Sequence, residues 1–191
     1  MIKKAKVCID AGHGGKDAGA VNGKRYEKND TLKIALRLGK VLTANGLEVS
    51  YTRKEDVYNS PRKKAWIGNE TGADFYISIH RNASTSVTAS GVEILVCNSC
   101  QKKYEIAKQI NTYLHDIGFI NRGIKLRNNL AVLNGTNMPA LLIEVGFISN
   151  KVDNELLDSN FYEVVNAIAK GFMESLELEF RTITDLKKSH I

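Results

Sequence analysis

Apolar residues in this chain fall into short runs that end in polar groups, separated by longer stretches with helical spacing. Lys4 to Ile9 reads as a first strand, followed by a loop carrying Gly12, Gly14, Gly15, Gly19 and Gly23. Leu32, Ile34, Ala35, Leu38, Val41 and Leu42 then recur at helical intervals, with Asn29 or Asp30 as the expected cap and Asn45-Gly46 as the stop. Glu48 to Thr52 predicts a second strand. Ser60-Pro61 predicts a helix start, a cap followed by proline in the first turn, for a helix ending near Thr71-Gly72. Phe75 to His80 predicts a third strand, Arg81 to Ser90 a polar loop, and Gly91 to Val96 a further strand. Helices are expected over Lys102 to Ile117 and Phe161 to Leu176, a short strand with turns over Asn128 to Asn137, and a strand over Ala140 to Glu144. This alternation of strands and helices predicts an α/β layered domain.

The run ends carry the chemistry. Ala140-Leu141-Leu142-Ile143 ends in Glu144, Lys6-Val7-Cys8-Ile9 runs into Asp10-Ala11-Gly12-His13-Gly14-Gly15, and Phe75 to Ile79 runs into His80. A carboxylate at the end of a buried strand is costly unless it meets a charge or does chemistry. In an open α/β sheet, functional groups gather beyond the carboxyl ends of the strands. Two histidines and a carboxylate delivered in this way point to a metal site with a general base.

Composition narrows the class without changing this picture. The 191 residues are 43% hydrophobic and 25% charged, enough for one domain with a single core. The net charge of +6 favours an anionic partner. Lys and Arg are dispersed, and neither RNP-like aromatic motifs nor zinc-finger spacing occurs, which argues against nucleic acid. Three cysteines are too few for a disulfide scaffold; Cys97 and Cys100 in Cys-Asn-Ser-Cys read as unpaired thiols at a strand end rather than a redox pair or half a zinc site. The apolar stretch after Met1-Ile2-Lys3-Lys4 is short and broken by Lys6 and Asp10, so no signal peptide is expected, and no segment is long enough to span a membrane.

Each candidate has a plainer alternative. His13 lies between glycines that allow close backbone approach to a ligand; the same loop lacks the Gly-Lys-Ser/Thr ending of a P-loop and the spacing of a dinucleotide fingerprint. Glu27 reads locally as a first-turn acid complementing a helix dipole. His80 directly follows a buried strand and is the better ligand candidate, whereas His115 lies on a polar helical stretch and His190 in the tail. Two imidazoles with a carboxylate suit a catalytic site that keeps a position open for water, zinc before other divalent metals. Glu144 fits the carboxylate that accepts and returns the proton; its alternative is a buried salt-bridge acid.

The ordered motifs resemble the zinc-dependent N-acetylmuramoyl-L-alanine amidases of the Amidase_3 type. The matching segments are Asp10 to Gly15 with Asp17-Ala18-Gly19-Ala20; Glu27; Thr52-Arg53 with Asp56; Arg62, similar to that family's following arginine; Ser78-Ile79-His80-Arg81-Asn82-Ala83; Asn121-Arg122-Gly123-Ile124-Lys125; and Met138 to Glu144 with Gly146-Phe147-Ile148-Ser149-Asn150. The resemblance covers about residue 6 to 176. It implies one domain with a mixed, mostly parallel β-sheet flanked by helices on both faces, one zinc per chain held by His13, Glu27 and His80, and catalysis by Glu144. Arg81 departs from the pattern, since a small residue is usual there. Arg81 and Asn82 are candidate substrate contacts. No inserted helix that would block the metal is visible after His80.

The resemblance further implies hydrolysis of the amide joining N-acetylmuramic acid to L-alanine in peptidoglycan, as in a phage endolysin domain or a bacterial autolysin. A zinc peptidase or carboxypeptidase acting on wall peptides, or a wall-binding module without catalysis, are the alternatives. Residues 1–176 are the expected catalytic domain and 177–191 a charged tail or linker, a place where a wall-binding domain would join. Expected partners are peptidoglycan and anionic wall polymers, without membrane insertion. The expected route is synthesis in the cytoplasm and action on the wall after lysis or non-classical export.

Overall fold

The computed structural model describes residues 5–97 and 100–188. Six strands form one sheet, with β1 (Lys6–Ala11), β4 (Glu48–Tyr51), β5 (Phe75–Asn82), β6 (Val92–Val96), β7 (Asn121–Leu126) and β8 (Ala140–Phe147) in the order β4-β1-β5-β8-β6-β7. Every neighbouring pair is parallel except β6 and β8. A two-residue hairpin, β2 (Val21–Asn22) with β3 (Arg25–Tyr26), stands apart from it. The helices are α1 (Glu27–Ala44), α2 (Pro61–Glu70), α3 (Gln101–Asp116), α4 (Ala131–Asn134), α5 (Lys151–Ser159), α6 (Phe161–Glu174) and α7 (Ile183–Lys188). This is the mixed, mostly parallel α/β domain expected from the sequence. Among the described residues no helix is long and apolar enough to cross a membrane.

Period-two alternation divides the buried strand residues between the two sheet faces. Val7, Ile9 and Ala11 of β1, Ile77 and Ile79 of β5, and Leu141, Ile143 and Val145 of β8 join the larger core under α1, α3 and α6. Cys8, Tyr76, Ala140 and Leu142 join a smaller core with Val132 and Leu133 of α4. Gly68 of α2 lies against the Tyr76 ring on that face. At the carboxyl ends of the strands, Asp10, Ser78, His80 and Glu144 continue the smaller-core series. They stand in register, Asp10 opposite Ser78 and His80 opposite Glu144. The chain steps from β1 outward to β4 and then back across β1 to β5, so this is also where the strand order reverses and a crevice opens.

Several local expectations change. Helix α1 begins at Glu27 with Tyr26 at its N-cap, so Asn29 and Asp30 lie within its first turn. The Asp30 carboxylate instead accepts from Arg25 and Arg81. The expected strand over Asn128 to Asn137 contains the short helix α4, and the strand of that region is β7, earlier in the chain. Helix α5 went unpredicted although Asn150 caps it, its side chain accepting from the Asp153 backbone N–H. In the expected tail, Leu178, Phe180 and Ile183 pack against the larger core. Leu178 is fastened through its backbone N–H to the Met173 carbonyl.

Candidate metal centre

Three elements bring together a group that could hold a metal ion. His13 comes from the loop after β1, Glu27 from the first residue of α1, and His80 from the end of β5. One potential ligand atom from each lies within 4.8 Å of the other two. Glu27 sits between the rings: its Oε2 is 3.1 Å from His13 Nε2 and its Oε1 2.9 Å from His80 Nδ1. The same carboxylate accepts from the backbone N–H groups of Ala20 and Arg81 at 2.8 and 3.0 Å. Burial opposes its ionisation, but the two imidazoles outweigh this and hold its pKa well below the ordinary carboxylate range. Glu27 is therefore more than a helix-dipole acid; it is buried and aimed into the site.

The loop around His13 is built for close approach. His13 itself has φ 58°, a left-handed conformation uncommon for a residue with a side chain. Backbone hydrogen bonds in both directions between Gly14 and Asp17 close the turn at 2.9 and 3.1 Å. A Cβ at Gly12 would lie 2.5 Å from the His80 ring, and one at Gly19 2.6 Å from both His13 and Glu27. These two glycines leave the space that the ligand side chains fill. Asp17 Oδ2 is 3.0 Å from His13 Nδ1, leaving Nε2 for the site. A carboxylate on the far nitrogen fixes ring orientation and raises ligand basicity. Burial pulls the His13 pKa down, yet Glu27 and Asp17 together bring it above its ordinary value.

Beneath the loop lies a buried polar brace. Asp10 accepts from Thr52 Oγ1 at 2.5 Å and Ser78 Oγ at 2.6 Å, and pairs with Lys64 Nζ at 3.0 Å. Lys64 Nζ also reaches the Ala11 carbonyl. Arg53 donates to the carbonyls of Ala11, Gly12 and Lys28 at 3.0, 2.8 and 2.8 Å. Asp56 accepts from the Gly15 N–H at 2.8 Å and from Lys28 Nζ at 2.6 Å. The Thr-Arg-x-x-Asp segment thus holds the ligand loop in place. The buried cation from α2 is Lys64; Arg62 lies on the exposed side of that helix.

Glu144 completes the centre. It stands opposite His80 on one side and opposite Glu93 of β6 on the other. Its Oε2 atom is out of solvent contact and has no hydrogen-bond partner. Burial raises its carboxyl pKa to about 7; Glu27 and Glu93 add to the rise while His80 and His13 oppose it. An unpartnered buried carboxylate oxygen beside His80 is a candidate for a functional group. Glu93 is held by Asn82 Nδ2 at 2.9 Å and Arg122 Nε at 3.2 Å. Two imidazoles and one carboxylate converging beside such a group, with no room for another side chain at Gly12 or Gly19, fit a single divalent ion with an open position.

One expectation at this site changes with the geometry. Arg81 is not placed to touch substrate. It follows His80 in β5, so its side chain turns to the opposite sheet face, where it is fully buried. There it pairs with Asp30 at 2.5 Å and donates to Asn154 at 2.6 Å, tying β5 to α1 and α5. The side chain of Asn82 serves the Glu93 contact and accepts from the Ala83 N–H. Cys97 and Cys100 are free thiols, the first buried and the second exposed; the Asn98 and Ser99 between them lie outside the described residues. His115 bonds the Phe119 carbonyl away from the centre, and His190 lies outside the described residues.

The chain is similar in sequence and fold to known proteins. Residues 7–174 match the family model Amidase_3, N-acetylmuramoyl-L-alanine amidase. The chain is 34% identical over 179 residues to a probable cell wall amidase, LytH, of Staphylococcus epidermidis, covering 91% of this chain and 59% of that protein. It thus spans about three fifths of that relative's length. It is 32% identical to a germination-specific N-acetylmuramoyl-L-alanine amidase of Bacillus subtilis, over 87% of this chain and 78% of the relative. The solved catalytic domain of CwlV, an N-acetylmuramoyl-L-alanine amidase of Paenibacillus polymyxa, superposes with a TM-score of 0.84 at 36% identity, covering 92% of this chain and 99% of that one. The match runs through β1 and the loop after it, α1, β5 and β8, the segments that carry His13, Glu27, His80 and Glu144, and the chain belongs to the N-acetylmuramoyl-L-alanine amidase family.

Proposed function

We propose that this protein hydrolyses the amide between the lactyl group of N-acetylmuramic acid and L-alanine in peptidoglycan, with one zinc ion held by His13, Glu27 and His80. The observation that carries the reading is the convergence of those three side chains beside the unpartnered Oε2 of Glu144. When bound, zinc supplies a Lewis acid for the substrate carbonyl and lowers the pKa of water to near neutrality.

The chain's own residues supply the rest. With its carboxyl raised to about 7, Glu144 can accept a proton from the attacking water and return it to the departing nitrogen. Deprotonated Glu144 acts first as base; protonated Glu144 then acts as acid, so the group ends as it began. Asp17 orients His13, and Arg53 and Lys64 hold the carbonyl backbone of the loop that carries it. Glu93 is kept off Glu144 by Asn82 and Arg122, which leaves the Oε2 atom free to exchange protons.

Digestion of purified wall by the zinc-loaded protein tests the reading. Peptides with newly freed alanine amino groups are expected, with no new reducing ends on the glycan and no release in the presence of chelator. Cleavage within the stem peptide would make it a peptidase. Wall binding that is independent of metal and releases nothing would make it a binding module.

A further inference from the structure

A groove of about 450 Å3 runs between α2 and α4 and shares Leu130 and Ala131 with the pocket that holds His13 and His80. Its α2 wall is one helical stripe, Arg62, Trp66 and Asn69, at i, i+4 and i+7. The opposite wall carries Asn129 and Asn134. Trp66, the chain's one tryptophan, is 58% exposed. Asn69 is already committed, donating to the Gly135 carbonyl and accepting from the Asn137 N–H, and so fixes the groove's width. Among the described residues, no intramolecular hydrogen bond or ion pair engages the side chains of Arg62, Asn129 or Asn134. A large aromatic face, two free carboxamides and a guanidinium therefore face one channel that opens onto the metal centre.

We infer that this groove is a subsite for the saccharide strand of the substrate. A pyranose ring presents an apolar face, which an indole covers, and a rim of hydroxyl and acetamido groups, which planar amides and guanidinium donors meet in pairs. An extended peptide would instead call for a free strand edge, and no strand lines the groove: its walls are α2, α4 and the residues flanking α4. The volume lies within the range of small-ligand sites, roughly 300–1,000 Å3. The assignment rests on the amidase reading, which places the scissile amide at the metal centre and one arm of the substrate along the adjoining channel.

Because Trp66 is the only indole, its fluorescence reports on the groove directly. The full protein is titrated with tetra-N-acetylchitotetraose, an undecorated stretch of the same sugar backbone, and in parallel with a stem tripeptide beginning with L-alanine. A saturable change with the saccharide and none with the peptide is expected. Asn129→Ala with Asn134→Ala should raise the apparent Kd about tenfold, the scale of losing an anchoring contact. Trp66→Ala should raise KM on polymeric wall about tenfold while kcat stays within about twofold, the pattern of lost uniform binding. A response to the peptide alone, or to neither ligand, overturns the assignment, as does a Trp66→Ala variant with unchanged KM. Those results leave the amidase reading intact, since that stands on the products of the parent enzyme. A parent that binds the saccharide yet frees no alanine-ended peptides keeps the groove and loses the reaction.

Discussion

His80 and Glu144 are register partners across the β5–β8 ladder, one a ring at 2.9 Å from the Glu27 carboxylate, the other a carboxylate with an unpartnered Oε2 atom. The parallel pairing puts the proposed ligand and the proposed general base on the same sheet face at the same height. Neither residue needs a loop to bring it there, so their separation is set by the strand spacing of the sheet.

The raised pKa of Glu144 makes a prediction about stability in the metal-free protein. Burial pushes the carboxyl up to about 7 in the folded chain. A group whose folded-state pKa is raised favours the folded state below its unfolded value, and that contribution is lost as pH rises through the folded value. The parent should therefore lose Tm relative to Glu144→Gln as pH rises from about 5 to about 8. Thermal unfolding of both proteins in chelator across that range checks this. A constant gap would mean that Glu144 is hydrated and ordinary.

Asp17 should act through His13. Asp17→Asn keeps the shape of the side chain and removes the charge beside His13 Nδ1, so zinc affinity should fall by about 10- to 100-fold while the fold is unchanged. Competition with a chromophoric chelator gives the affinity. Parent-like affinity would make the contact incidental.

Gly12→Ala should cost the metal and spare the fold. The added methyl would meet the His80 ring at 2.5 Å, and a ring can rotate away more readily than the sheet can shift. Gly12 is not at positive φ, so strain of its backbone is not the cause. Circular dichroism close to the parent with reduced bound zinc is expected; full zinc occupancy would show that the ring has room after all.

Removal of residues 177–191 should lower Tm without changing metal content or catalysis. Leu178, Phe180 and Ile183 lie against the larger core, far along the chain from every ligand. Thermal melts and zinc analysis of the truncated chain check both halves. Loss of zinc would show that the segment supports the centre itself.

Strands β1, β4, β5, β6 and β8 and the long helices are legible because their apolar spacing is set by burial on known faces, whereas β7 is exposed or half-buried throughout and shows no such run. Glu144 and His80 stood out because a polar group ending a buried run needs a reason. The ordered motifs pointed to His13 and Glu27 as ligands, although Glu27 read locally as a helix-start acid, and only the folded loop shows its carboxylate between two rings. Lys64 is not singled out by the sequence, because its pairing with Asp10 requires knowing which face of α2 meets β1. Arg81 looked like a charge at the metal because it neighbours His80 in sequence; strand alternation sends it to the opposite face. Helix α4 escaped because four residues show no period, and hairpin β2–β3 because its strands are two residues each and exposed or partly so.

The most direct test measures bound zinc in His80→Ala and Glu144→Gln, purified and reloaded side by side, with release of alanine-ended peptides from wall as the second readout. His80→Ala should hold little zinc and release nothing. Glu144→Gln should hold about one zinc per chain, as the parent does, and still lose activity by a factor on the order of 10² or more, the scale of general acid–base assistance. Zinc retained in His80→Ala, or a Glu144→Gln variant that either loses the metal or hydrolyses wall within about threefold of the parent, would contradict this division of roles between the two register partners.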